Sequence, residues 1–170
     1  MIAGDFGPAN PLGTGSGTVN VTHNLIQANF SNDDGGGIMA LRPLHNRINI
    51  VNNFIVNNAA ADIGGGIALD NASDVVVVNN SFFNNSATNT ASDADRTPNA
   101  ACLALHGVPG PGLPPLGSCP HAAGLVSTPH DGSFTPPDGS TFSDPVLFNN
   151  IFRNNEAYYW GDLQPEEPDF

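Results

Sequence analysis

Apolar and polar positions alternate in short runs along this chain, and the runs recur in a fixed order. Ile48-Asn49-Ile50-Val51 is broken by Asn52-Asn53. Phe54-Ile55-Val56 follows and is broken by Asn57-Asn58, and Gly64-Gly65-Gly66-Ile67-Ala68-Leu69 closes the unit. Upstream the same order reads Val19-Asn20-Val21-Thr22-His23-Asn24-Leu25-Ile26-Gln27-Ala28-Asn29, with Gly35-Gly36-Gly37-Ile38 after it. Downstream it returns as Val75-Val76-Val77-Val78-Asn79-Asn80-Ser81-Phe82-Phe83-Asn84-Asn85. The last copy is Val146-Leu147-Phe148-Asn149-Asn150-Ile151-Phe152-Arg153-Asn154-Asn155. The first three copies are spaced by roughly 30 residues, inside the range that marks a repeat architecture.

Aligning the copies assigns each position a role. Ile26, Ile55, Phe82 and Phe152 share a column that is always large and apolar, whereas the next column, Gln27, Val56, Phe83 and Arg153, is mixed. The pairs Val19 and Val21, Ile48 and Ile50, and Val75 and Val77 repeat with a period of two, as expected of a strand with one buried face. No apolar spacing of three and four residues separates the asparagine pairs from the glycines, so no helix is expected there. The pattern predicts an all-β solenoid of short strands, each paired in parallel with its counterpart one repeat away. Asn24, Asn53, Asn80 and Asn150 are expected at one corner and Asn29, Asn58, Asn85 and Asn155 at the next, because Asn and Gly tolerate the left-handed backbone of a tight turn. Stacked asparagines can also hydrogen-bond along the stack and so satisfy buried polar groups.

With its N-N-x-x-x-N-N and G-G-G-I elements, the chain resembles right-handed parallel β-helix proteins of the pectin-lyase-like type, above all the repeat-bearing bacterial surface and secreted ones. The resemblance covers roughly residues 19–87 and 122–163. It implies a single domain of about four coils, at about 19–47, 48–74, 75–144 and 145–163. Lyases, hydrolases, epimerases, adhesins and scaffolds share that fold, so it does not select a function. The L-x-x-L-x-L run of a leucine-rich repeat and the G-G-x-G-x-D nonapeptide of calcium-binding repeats are both missing.

The third coil carries a long insertion, about 88–121, running through Val108-Pro109-Gly110-Pro111-Gly112-Leu113-Pro114-Pro115, which can form neither a helix nor a central strand. Ala122-Ala123-Gly124-Leu125-Val126-Ser127 reads as a degenerate copy of the glycine unit, and a second Pro/Gly loop spans 129–144. Cys102 and Cys119 both fall in the insertion. Their simplest reading is a disulfide closing the loop, which would imply an oxidising compartment. The alternative is a Cys2His2 metal site with His106 and His121, although the spacing matches no common zinc module.

Charge narrows the partners. The 170 residues hold 4 basic side chains against 16 acidic ones, a formal net charge of -12, and this excludes a nucleic-acid surface. Anionic polysaccharides or membranes would need bridging cations. No apolar run approaches the roughly 20 residues needed to span a bilayer. Met1-Ile2-Ala3-Gly4-Asp5 lacks the features of a signal peptide, so an exported protein would carry its leader outside this chain. Residues 1–18 read as the tail of an earlier coil, and Tyr158-Tyr159-Trp160-Gly161-Asp162-Leu163 occupies the slot of the glycine triplet. Both ends therefore point to a segment of a longer solenoid, or to a subunit that stacks on its neighbours.

Candidate chemistry is sparse. Asp33, Asp34 and Asp62 could hold Ca²⁺, a hard ion that favours oxygen ligands, but capping of their own turns is the simpler role. No other cofactor is expected. Arg153 with Glu156 nearby is a single basic position rather than a cleft, and the columns supply no convergent acid pair for a glycosidase. His130-Asp131 lies in a Gly/Pro loop. No catalytic residue is expected. Phe83, Val56 and Phe54 form an outward apolar patch, and Arg153, Tyr158, Tyr159 and Trp160 extend the candidate interaction surface, where aromatics could stack on sugar rings. The sequence thus reads as an extracellular or cell-surface structural or adhesive scaffold whose partners are further coils, neighbouring subunits or carbohydrate. The alternative is a carbohydrate-active β-helix enzyme or binding module.

Overall fold

A computed structural model describes residues 1–3, 16–44, 46–91, 121–130, 134, 136 and 138–159. Every regular element among them is a strand, and no helix is present that could cross a membrane.

The strands form four sheets of four, all parallel. The first sheet stacks β1 (Ile2–Ala3), β5 (Ile38–Leu44), β9 (Ile67–Ala72) and β13 (Leu125–Ser127). The second stacks β2 (Val19–Thr22), β6 (Ile48–Val51), β10 (Val75–Val78) and β14 (Val146–Phe148). The third stacks β3 (Leu25–Gln27), β7 (Phe54–Val56), β11 (Ser81–Phe83) and β15 (Ile151–Arg153), and the fourth β4 (Phe30–Ser31), β8 (Ala59–Ala60), β12 (Ser86–Ala87) and β16 (Glu156–Ala157). Neighbours in a sheet lie one repeat apart in sequence, an arrangement consistent with a β-solenoid.

Register follows the apolar columns. Ile55 pairs with Ile26 on one side and Phe82 on the other, and Phe82 pairs with Phe152. Ile48 and Ile50 sit between Val19 and Val21 below and Val75 and Val77 above. Because successive side chains of a strand point to opposite faces, these columns all turn inward. There Ile48, Ile50, Ile55, Ile67, Leu69, Val77 and Phe82 are fully buried in one core. The Phe82 and Phe152 rings stack with centroids 4.4 Å apart and planes 10° from parallel.

Glycine is required for two separate reasons. Gly35 and Gly64 both have φ of +64°, in the left-handed region. Gly65 lies so close to the next repeat that a Cβ would fall 2.1 Å from the Ser86 carbonyl oxygen. The triplets therefore let the turn press against the strand stacked on it, and Leu125 pairs with Ile67 directly after Gly124.

The asparagine pairs divide their work differently from the expectation. The left-handed φ falls on the first residue of each pair, as at Asn52, Asn57, Asn79, Asn84, Asn149 and Asn154, with His23 and Ala28 in the first repeat. The second residue directs its side chain inward. The turn needs one left-handed residue, and the strand after it begins only once the second Asn has faced the core.

Candidate functional site

The inward asparagines form two hydrogen-bonded columns. The Asn53 Oδ1 accepts from the backbone N–H of Asn24 at 2.9 Å and from its Nδ2 at 3.1 Å, and Asn53 donates in the same way to Asn80, and Asn80 to Asn150. Asn29, Asn58, Asn85 and Asn155 repeat the pattern. The second Nδ2 hydrogen turns back to a carbonyl of the preceding repeat: Asn53 to Val21, Asn58 to Ile26, Asn80 to Ile50 and Asn85 to Ile55. Each central amide thus fills all of its donor and acceptor sites, which is what allows it to be buried.

The one dense group of titratable side chains among the described residues is acidic. Asp33 and Asp34 follow β4, and Asp62 occupies the matching turn after β8, where its N–H donates to the Asp33 carbonyl at 3.2 Å. One carboxylate oxygen from each of Asp33, Asp34 and Asp62 lies within 4.8 Å of the other two. They line a cleft of about 700 Å³ with Phe30, Met39 and Asp70. Burial, then the charges of Asp33 and Asp62, push the Asp34 pKa up to about 7, against a weaker opposing hydrogen bond from the Ile63 N–H. Like charges this close repel, and a proton or a cation relieves the repulsion, so the cluster could accept either. Asp70, which also raises Asp34, escaped the sequence reading because it lies on β9 and shares no run with the other acids.

The other candidates do not join this cluster. Arg153 is exposed on β15, three strand steps along the stack from the repeat that carries Asp33, or roughly 14 Å at the usual interstrand spacing. Phe83 is half-buried between Val56 and Arg153. Tyr158 and Tyr159 are exposed, and the Tyr158 hydroxyl donates to the Glu156 carboxylate, which raises the phenol pKa. His130 packs edge-on against Phe134, with centroids 4.8 Å apart. Cys102, Cys119, His106, Asp131 and Trp160 lie outside the described residues. Along the outer face of the third sheet, Leu25 and Phe54 pair side by side, 63% and 57% exposed, and Ile151 continues the column beyond Ser81.

Comparison with protein-family models, with curated proteins and with solved structures finds no match to this chain. Its class is therefore set by its own architecture: an all-β protein of parallel stacked strands, with paired asparagine columns inside and a carboxylate cluster at one edge.

Proposed function

We propose that the chain is a right-handed parallel β-helix of the pectin-lyase-like type, with about four coils and an insertion at 88–121. In this reading it serves as a structural or adhesive scaffold in an exported or cell-surface protein, as a segment of a longer solenoid or a subunit of a larger assembly. The observation that carries the reading is the use of the interior. Among the described residues, the buried amides of Asn53, Asn58, Asn80 and Asn85 bond to each other and to the backbone, and no convergent acid and base stand among the inward side chains. Such an interior gives rigidity, and the outer face with Leu25, Phe54 and Ile151 gives a surface to present.

The test is incubation of the purified chain with neutral and anionic polysaccharides, with and without Ca²⁺, following new reducing ends and unsaturated uronates. The expected result is no cleavage. Cleavage abolished by Arg153→Ala or by the triple change Asp33→Asn, Asp34→Asn, Asp62→Asn would replace the scaffold with a carbohydrate-active enzyme. An experimental density map checks the sense of winding.

A further inference from the structure

We infer that the two ends of the stack are complementary, and that the C-terminal end takes the N-terminal end of a second copy of this chain, head to tail. The inference rests on the scaffold reading and names its partner. Three features of the ends agree on it.

The first is the direction of the amide columns. In all six steps the donors belong to the earlier repeat and the accepting Oδ1 to the later one. The columns therefore end differently. At the start, Asn24 Oδ1 and Asn29 Oδ1 receive no donor among the described residues. At the finish, Asn150 and Asn155 spend one Nδ2 hydrogen on the carbonyls of Val77 and Phe82. Their backbone N–H and remaining Nδ2 hydrogen have no acceptor among the described residues. Acceptors at one end face donors at the other, whereas two like ends would set donor against donor or acceptor against acceptor.

The second is the equal depth of the sheets. Each of the four holds four strands, so that β1, β2, β3 and β4 at one end, and β13, β14, β15 and β16 at the other, are paired on one side and have no described partner strand on the other. A second copy placed on this end would set its β1 on β13, its β2 on β14, its β3 on β15 and its β4 on β16, and all four sheets would run through the junction.

The third is the apolar match. Leu147 and Phe152 continue the inward columns, yet remain 49% and 47% exposed. With Ala123, Leu125 and Ala157 they line a hollow of about 480 Å³ at the end of the stack. In the register of the repeats, Val21 of the second copy falls on Leu147 and its Ile26 on Phe152. Val21 and Ile26 are the part-buried residues at the opposite end of the same columns.

The experiment uses one lesion at each end, read by sedimentation velocity over a concentration series. Asn29→Lys replaces an end acceptor with a cation. Asn155→Asp keeps the oxygen that Asn85 needs but turns the donor face into an acceptor. The wild-type mass should rise with concentration beyond a dimer, and each variant should stay monomeric at about ten times the wild-type midpoint. An equimolar mixture of the two should give a dimer and nothing larger, because one intact end of each kind remains. If Asn155→Asp does not fold, Leu147→Lys blocks the same end from an exposed position. A wild type that is all-β by circular dichroism but monomeric throughout would overturn the inference and leave the scaffold standing. So would variants that associate as the wild type does, or a mixture that stays monomeric. A wild type without β-structure would overturn the scaffold reading itself.

Discussion

At the scale of the residue, adjacent asparagines do unlike jobs. Asn80 is fully buried and bonded to Asn53, Asn150 and the Ile50 carbonyl, whereas Asn79 is exposed at φ 56°. Asn80→Ala strands several buried groups, each costing about 1–3 kcal/mol, so urea melts should lose about 3 kcal/mol or more. Asn79→Ala forfeits a tolerance for the left-handed turn and one exposed hydrogen bond from the Asn149 Nδ2, and should cost under about 2 kcal/mol. Equal losses would mean that the amide columns do not hold the core. Asp34 gives a second prediction. Its pKa stands at about 7 in the fold against 3.8 in an open chain. Between those values the folded protein keeps a proton that the unfolded chain has released, so stability should fall as pH rises from about 4 to about 7. Asp34→Asn should flatten that slope in thermal melts across the range. The side chain is half-exposed and solvent damps the size of the effect, so the sign of the slope is the test. Sequence alone could nominate both members of each Asn pair for the corner, since either tolerates the turn. Which one turns and which one bonds depends on where the following strand starts.

At the scale of the element, the apolar columns were fully legible, because a period of two over three or four residues leaves a single choice of face. Ile26, Ile55, Phe82 and Phe152 align in the sequence and pair in the fold. The two-residue strands were not legible: Ala59–Ala60 and Ser86–Ala87 are too short to show a period and carry small side chains. They exist because the strands on either side of them are already stacked. The carboxylate cluster was half legible: Asp33 and Asp62 hold equivalent places after the aligned runs, but Asp70 joins them only through the turn of the chain. The turn beside those short strands tolerates no added atom. Gly65→Ala places a methyl against the Ser86 backbone and should cost more than about 3 kcal/mol or prevent folding. Phe82→Ala removes a buried ring instead and should cost about 3–5 kcal/mol while still folding. A Gly65→Ala chain as stable as the wild type would show that the repeats can separate at that corner.

At the scale of the whole molecule, each repeat touches mainly its neighbours, so stability should vary along the stack rather than being uniform. The middle strands β6, β7, β9, β10 and β11 hold the largest fully buried side chains, while Val146, Phe148 and Ile151 in the last repeat remain exposed. Hydrogen exchange should therefore be slowest in the amides of β6, β7, β9, β10 and β11 and fastest in β14, β15 and β16. Uniform protection would mean that the chain opens as one unit. The passage from β12 to β13 has a further consequence. One repeat earlier the chain passes from Ala60 to Ile67 in a short turn; here Thr88, Thr90 and Ala91 still bond to the repeat below, the stack resumes at Ala122, and Leu125 still pairs with Ile67. Closing a longer loop adds only about 0.6 kcal/mol for each doubling of its length. That junction is therefore a natural splice point, where a foreign domain with neighbouring termini could be carried as cargo without disturbing the stack beneath it.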